Sequence, residues 1–175
     1  MKRIVILGAT GSGKTTFGRK LAARLGYAAT DLDDLHWLPG WTPRPTAEMY
    51  PLAEAAALKD DWVIMGNYSK VRQAVWPRAD AFIWLDYPFA RVFWQLLRRS
   101  VLRAIDKNLI CNGNTESWRL FFSKNSIMVW LFQSYWRRKR EYGAIFAEAG
   151  NSPNIAYIRF QSPRAAENWL QGLKV

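Results

Sequence analysis

The chain has 175 residues, half of them hydrophobic, which suffices for one domain with a sizeable core and not comfortably for two. Lys and Arg total 25 against 14 acidic residues, a net charge of +11 that implies an anionic ligand such as phosphate. The single cysteine, Cys111, excludes an intrachain disulfide and a cysteine-based zinc site, and no apolar run resembles a signal peptide or reaches bilayer-spanning length, so a cytoplasmic protein with no membrane partner is expected.

In chain order, Arg3-Ile4-Val5-Ile6-Leu7 is a short β-branched run suited to a strand buried on both faces. It leads into Gly8-Ala9-Thr10-Gly11-Ser12-Gly13-Lys14-Thr15, an ungapped match to the phosphate-binding loop Gly-x4-Gly-Lys-Ser/Thr. The glycines let consecutive backbone N–H groups turn inward on phosphate oxygens, and the following helix adds the positive end of its dipole. Gly8, Thr10, Gly11, Ser12, Gly13 and Thr16 therefore join Lys14 and Thr15 as expected nucleotide contacts. Lys14 is expected to reach the β- and γ-phosphates of ATP, and Thr15 to offer its hydroxyl to Mg²⁺. A helix from Thr16 to Leu25 carries Phe17, Leu21 and Leu25 at helical spacing and ends at Gly26.

A second strand over 28–32 runs into the acidic stretch Asp31-Leu32-Asp33-Asp34-Leu35-His36. An alanine-rich helix is expected over 50–59, with Pro51 tolerated only in its first turn. A third strand, 62–65, ends at Gly66-Asn67, and a short helix carries Val71, Arg72 and Val75. The fourth strand, 81–85, ends at Asp86, and Pro88 opens a helix to about Ile105 bearing Arg91, Arg98, Arg99 and Arg103. Residues 106–117 have turn chemistry without periodicity and read as a mobile lid. A long helix over 126–149 places Met128, Leu131, Phe132, Tyr135, Tyr142 and Phe146 on one face and carries the run Arg137-Arg138-Lys139-Arg140, whose members cannot all point at one site. The last strand, 155–160, precedes Ser162 as N-cap and Pro163 at the first position of a terminal helix. Trp62, Trp84, Trp130 and Trp169 stand in apolar runs and read as core, whereas Trp37 and Trp41 stand where an aromatic can border a pocket. The alternating order predicts an α/β fold of three layers, a five-stranded parallel sheet with helices on both faces and the ligand at the carboxyl ends of the strands.

The glycine loop, Asp31-x-Asp33 with Leu35-His36, Gly66-Asn67-Tyr68, Leu85-Asp86-Tyr87-Pro88 and the arginine-flanked lid together resemble the adenylate kinase-like P-loop kinases across nearly the whole chain. The loop His36-Trp37-x-Pro39-Gly40-Trp41 is similar to that of the small kinase-like proteins named for DNA topology modulation, and the acidic loop resembles the acceptor loop of gluconate and shikimate kinases. The resemblance implies one P-loop kinase domain over 1–175, with a substrate-binding segment around 34–60 and a lid around 99–119.

Phosphoryl transfer requires positioning and positive charge. Lys14, Arg99 and Arg103 are the candidates for the transferring phosphoryl group, with Arg98 on the nucleotide. Asp33 is the candidate to orient or deprotonate the acceptor hydroxyl, and Asp31 to hold a metal-bound water. His36, Arg44, Gly66 and Arg72 complete the acceptor side, the arginines as clamps for an anionic acceptor such as a nucleotide. Similar proteins carry an acidic residue before the glycine that ends the third strand; Met65 stands there, leaving the metal to Asp31 and Asp33 or implying slow turnover. The resulting expectation is an ATP-dependent kinase of a small molecule, a nucleoside, a nucleotide or a polyol. A nucleotide-dependent protein acting on DNA or RNA through its basic surface, and a plain NTPase, remain alternatives.

Overall fold

The computed structural model describes residues 1–106, 111–115, 118–121, 123–124, 126–151 and 154–173. Five strands, β1 (Arg3–Gly8), β2 (Ala28–Asp31), β5 (Trp62–Met65), β6 (Ala81–Leu85) and β7 (Ala156–Phe160), form one parallel sheet in the order β2-β5-β1-β6-β7. A two-residue antiparallel hairpin, β3 (Trp37–Leu38) and β4 (Thr42–Pro43), lies between β2 and β5 in the chain. The helices are α1 (Lys14–Leu25), α2 (Leu32–His36), α3 (Thr46–Ala57), α4 (Arg72–Val75), α5 (Phe89–Asp106), α6 (Trp118–Phe121), α7 (Ile127–Ala147) and α8 (Pro163–Gly172).

Strand β1 is central because it is buried on both faces, and the alternation of its side chains divides the core. Ile4 and Ile6 join Phe17, Leu21, Val92, Leu96 and Leu131 on one face. Val5 and Leu7 join Met49, Ala53, Trp62 and Tyr142 on the other. Leu131 and Tyr135 of α7 belong to the first cluster and Tyr142 to the second, so the helix contributes to both as it passes the carboxyl ends of β5 and β6. That crossing brings its middle turn to the end of the sheet where a ligand binds in such folds.

Several local expectations are corrected. Helix α3 starts at Thr46, so Pro51 lies inside it rather than in its first turn; burial of Met49, Ala53, Ala56 and Ala57 outweighs a proline penalty of about 3 kcal/mol. Residues 32–36 form a helix because Asp31 Oδ1 accepts from the Asp33 N–H and caps it. Trp62 and Trp84 are buried, but Trp130 is 44% and Phe132 55% exposed, since the inner row of α7 is Leu131, Ser134, Tyr135 and Tyr142. The expected lid over 99–119 divides: residues 99–106 continue α5, 111–115 form a turn, and 107–110 and 116–117 lie outside the described residues.

Two glycines of the loop between β1 and α1 are required for different reasons. Gly11 has φ +83°, and a Cβ there would stand 2.8 Å from Leu96 Cβ and 3.2 Å from the Val92 carbonyl oxygen, so α5 seats directly on the loop. Gly13 has φ +88° but open space around its missing Cβ. Gly11→Ala should therefore destabilise the fold by about 2–4 kcal/mol and Gly13→Ala by about 1–2 kcal/mol, read as the difference in urea midpoint at constant m. Equal losses would show that α5 does not rest on Gly11.

Candidate active site

The loop 8–15 has the features of a phosphate cradle. No side chain among the described residues caps the amino terminus of α1, which leaves its first N–H groups without a side-chain partner. Ser12 Oγ is buried without a hydrogen-bond partner among the described residues, 2.6 Å from where a Cβ on Gly8 would stand. Lys14 Nζ donates to the Ala9 carbonyl oxygen at 2.9 Å, folding the ammonium back over the loop.

Desolvation is the largest influence on Lys14 and pushes its pKa from 10.5 down to about 8; Asp33 and Asp31 oppose it, and Arg138 and Arg99 reinforce it. Those charges mark what gathers around the ammonium. A bound triphosphate favours the charged form, so the complex raises this pKa again. MgATP affinity should be nearly flat from pH 6.5 to about 7.5, then fall by up to about tenfold per pH unit above 8 as the free protein loses the proton. Titration calorimetry near pH 8.5 in buffers of different ionisation enthalpy should register proton uptake on binding. Affinity that stays constant to pH 10 would place Lys14 off the phosphates.

At the end of β2, Thr15 Oγ1 donates to Asp31 Oδ2 at 2.5 Å. This bond joins the first turn of α1 to the acidic loop. Burial and the neighbouring Asp33 carboxylate raise the Asp31 pKa. Tyr68 Oη donates to Asp33 Oδ1 at 2.6 Å, and burial together with that carboxylate pushes the phenol well above its ordinary value, making it a fixed donor. The His36 ring lies 4.5 Å from the Tyr68 ring and 4.6 Å from Trp37, and desolvation lowers its pKa, so it is neutral near pH 7. A chain Thr15, Asp31, Asp33, Tyr68, His36 thus runs from the phosphate cradle to the acidic loop. Gly66 has φ +109°, and a Cβ there would stand 3.3 Å from Leu32 Cβ, so the acidic loop lies close over the end of β5.

The turn 111–115 fastens onto the hairpin. Asn114 Oδ1 accepts from the Trp41 N–H at 2.7 Å, Asn114 Nδ2 donates to the Leu38 carbonyl oxygen at 3.0 Å, and Trp41 Nε1 donates to the Thr115 carbonyl oxygen at 3.1 Å. Cys111 lies near Asp33, Asp34 and Arg103, and burial pushes its thiol up to about 12. Arg99 and Arg103 both lie on the inner half of α5, Arg99 acting on Lys14 and Arg103 on Cys111.

Other candidates are placed elsewhere. Arg98 is exposed on the outer face of α5, opposite the row Val92, Leu96 and Ser100, and points away from the loop where a nucleotide contact was expected. Arg44, expected as an acceptor clamp, donates to the Leu35 carbonyl oxygen at 2.8 Å and pairs with Glu48 at 3.5 Å. Arg72 is bound to Glu141 and to Asn67 Oδ1, with its guanidinium 4.2 Å from the Trp76 ring centroid. Met65 is the registered neighbour of Asp31 and turns the same way, onto α1, where a Cβ on Gly18 would collide with it, so an apolar side chain stands beside the Thr15–Asp31 pair where an acidic one was expected. Asp86 is buried and held by Arg159 at 2.5 Å and Lys139 at 3.5 Å, an ion-pair cluster that ties α7 to β7.

Arg138 and Tyr68 were not assigned roles from the sequence. Arg138 Nη1 donates to Tyr142 Oη at 2.8 Å and to the Asn67 carbonyl oxygen at 3.3 Å, and its charge acts on Lys14. The signal for Arg138 was present in the spacing, since it alone of residues 137–140 is one turn from Tyr142 and one heptad from Leu131.

The five-stranded parallel sheet with helices on both faces is a three-layer α/β fold that matches the fold of solved kinases. No family model matches the chain. The shikimate kinase from Acinetobacter baumannii in complex with shikimate superposes with a TM-score of 0.61 at 19% identity, covering 98% of this chain and 89% of that one. An unliganded sugar kinase from Janibacter sp. HTCC2649 superposes with a TM-score of 0.52 at 17% identity, covering 98% and 93%. Among curated proteins, Threonine synthase-like 1 of Macaca fascicularis is 26% identical over 168 residues, which is 87% of this chain but only 21% of that protein's length.

Proposed function

We propose that the chain is an ATP-dependent phosphotransferase that transfers a phosphoryl group to a hydroxyl of a small molecule. The observation that carries this reading is the 2.5 Å bond between Thr15 and Asp31, with Asp33 adjacent and Lys14 within their electrostatic reach. That bond joins the loop hydroxyl to one carboxylate where β1 and β2 end, and the second carboxylate and the ammonium are close enough for their charges to act on one another.

The loop amides and Lys14 hold the phosphates, and Arg99 and Arg138 add positive charge where negative charge develops in transfer. The Thr15 hydroxyl and the Asp31 carboxylate form a hard, all-oxygen donor pair that fits Mg²⁺, directly or through water. Mg²⁺ supplies charge neutralisation on the phosphates when bound. Tyr68 holds Asp33 by one oxygen, leaving the other to orient the acceptor hydroxyl and accept its proton.

The acceptor side favours a neutral, hydroxyl-bearing molecule over a nucleotide, because both arginines expected to clamp a phosphate are bound to Glu48 and Glu141. The kinship with adenylate kinase-like and topology-modulation proteins rests on the motifs quoted above and is part of the same proposal. A nucleic-acid-directed role rests on the net charge of +11 alone. The deciding experiment is a screen of nucleosides, nucleotides, polyols and sugar acids with MgATP, analysed for phosphorylated product by mass spectrometry and repeated with Lys14→Ala. Product from a neutral acceptor that disappears in the variant supports the reading. Tight MgATP binding with no product across the panel refutes it.

A further inference from the structure

The outer surface of α5 and α7 is unlike the rest of the molecule. Trp94 is 63% exposed, Ile105 61%, Trp136 57% and Leu102 47%, and all four lie on these two adjacent helices with the exposed Phe132. The rings make a continuous ladder: Trp136 to Phe89 at 6.0 Å between centroids, Phe89 to Phe132 at 5.2 Å, Phe132 to Phe93 at 6.0 Å, and Phe93 to Trp94 at 5.5 Å. Leu102 and Ile105 extend the strip along α5, giving it a length of about 24 Å at the helical rise. A contiguous apolar strip of this kind marks an interaction surface.

Its charge is one-sided. Arg98 stands one turn after Trp94 and Arg140 one turn after Trp136, both exposed, and Arg91 is exposed near the start of α5. Among the described residues of the two helices, the only carboxylates are Asp106 at the last position of α5 and Glu141, which is bound to Arg72. We propose that this face docks peripherally on an anionic phospholipid surface, with the rings and aliphatic side chains entering the headgroup boundary and the arginines meeting lipid phosphates. Aromatic residues and arginines are the side chains suited to that boundary. A second copy of the chain is disfavoured because a two-fold axis on this strip would set arginine against arginine, while Glu141 is taken by Arg72 and Asp106 stands at the far end of α5. Single-stranded nucleic acid is disfavoured because Trp136 already stacks on Phe89 at 18° and Leu102 and Ile105 offer a base no partner. The contact needs no spanning helix, and no helix among the described residues is long and apolar enough to be one. Docking leaves the glycine loop open, since α5 meets Gly11 through Val92 and Leu96 on its opposite side.

The test is co-sedimentation of the full chain with vesicles of phosphatidylcholine alone and with about one third phosphatidylglycerol, at about 0.1 M and 0.5 M salt. The expected result is binding to the anionic vesicles that weakens with salt, and little binding to phosphatidylcholine. Trp94→Glu with Trp136→Glu should lower the partition coefficient at least about tenfold while MgATP binding and far-ultraviolet circular dichroism stay unchanged. Arg98→Gln with Arg140→Gln, which leaves the rings in place, should lower binding to the anionic vesicles only. The proposal is overturned if the wild-type chain stays in the supernatant with anionic vesicles, or if the tryptophan variant binds them as the wild type does. It is equally overturned if light scattering shows a dimer that the tryptophan variant dissociates, or if the chain binds an oligothymidylate through the same residues and the vesicles do not compete.

Discussion

Lys14→Ala should lower MgATP affinity by about 10²–10³-fold while leaving the folded chain as stable as the wild type or slightly more so. The two effects have opposite signs for one reason. The ammonium is desolvated enough to carry a pKa of about 8, and its recorded hydrogen bond is to the Ala9 carbonyl oxygen, so the free protein holds a cation in a place that disfavours it. Removing it relieves that penalty and loses little packing. A triphosphate loses its only ammonium partner in the loop and the approach of the first-turn amides that the lysine organises. Thermal unfolding with and without MgATP separates the two: the apo midpoint should hold or rise, and the nucleotide-induced shift should vanish. A variant with a lowered apo midpoint and an intact shift would show that the side chain is a structural strut and not a phosphate ligand.

Asp33→Asn should reduce the rate of phosphoryl transfer by about 10²–10⁴-fold with MgATP affinity unchanged or modestly improved. Asparagine keeps the shape, and its carbonyl can accept from Tyr68 as the carboxylate does at 2.6 Å, so the loop stays in place. The ability to take a proton from the acceptor is lost. Removing the charge also eases the repulsion that, after burial, raises the Asp31 pKa, which favours ionised Asp31 and, on the proposed reading, Mg²⁺ binding. Single-turnover kinetics with the acceptor found in the screen would resolve transfer from binding. Transfer at the wild-type rate would remove Asp33 from acid–base chemistry even where the kinase reading stands.

Much of the fold was legible because its signals are local. Four apolar residues, three of them β-branched, followed by a glycine loop leave few alternatives to a buried strand, and the five strands lie within a residue or two of where their runs begin and end. The same holds for Ser162 and Pro163, whose capping geometry is encoded in three residues. The misplaced start of α3 shows the limit: a proline penalty counted locally was outweighed by four side chains buried in the core.

At the site, residues fixed by the loop motif and those fixed by packing behaved differently. Arg98 and Arg99 are neighbours in sequence, and helical periodicity alone cannot say which meets the ligand until the inner face of α5 is known. Its inner face is set by Gly11, which accepts Leu96 because it has no Cβ. Arg44 and Arg72 were reasonable anion clamps by type; Glu48 stands only four residues from Arg44, whereas Glu141, 69 residues from Arg72, is revealed only by the fold.

From the sequence alone come the five strands, the glycine loop with Lys14 and Thr15, and the acidic loop after β2, since each depends on neighbours within about one element of chain. The path of α7 across the carboxyl ends of β5 and β6 is a tertiary decision. Placing Leu131 in one core cluster and Tyr142 in the other turns Arg138, and not Arg137 or Arg140, toward Lys14 and leaves the aromatic ladder outside. The physical reason is that a helix of one-sided polarity has an inner row only once two separate hydrophobic clusters compete for it.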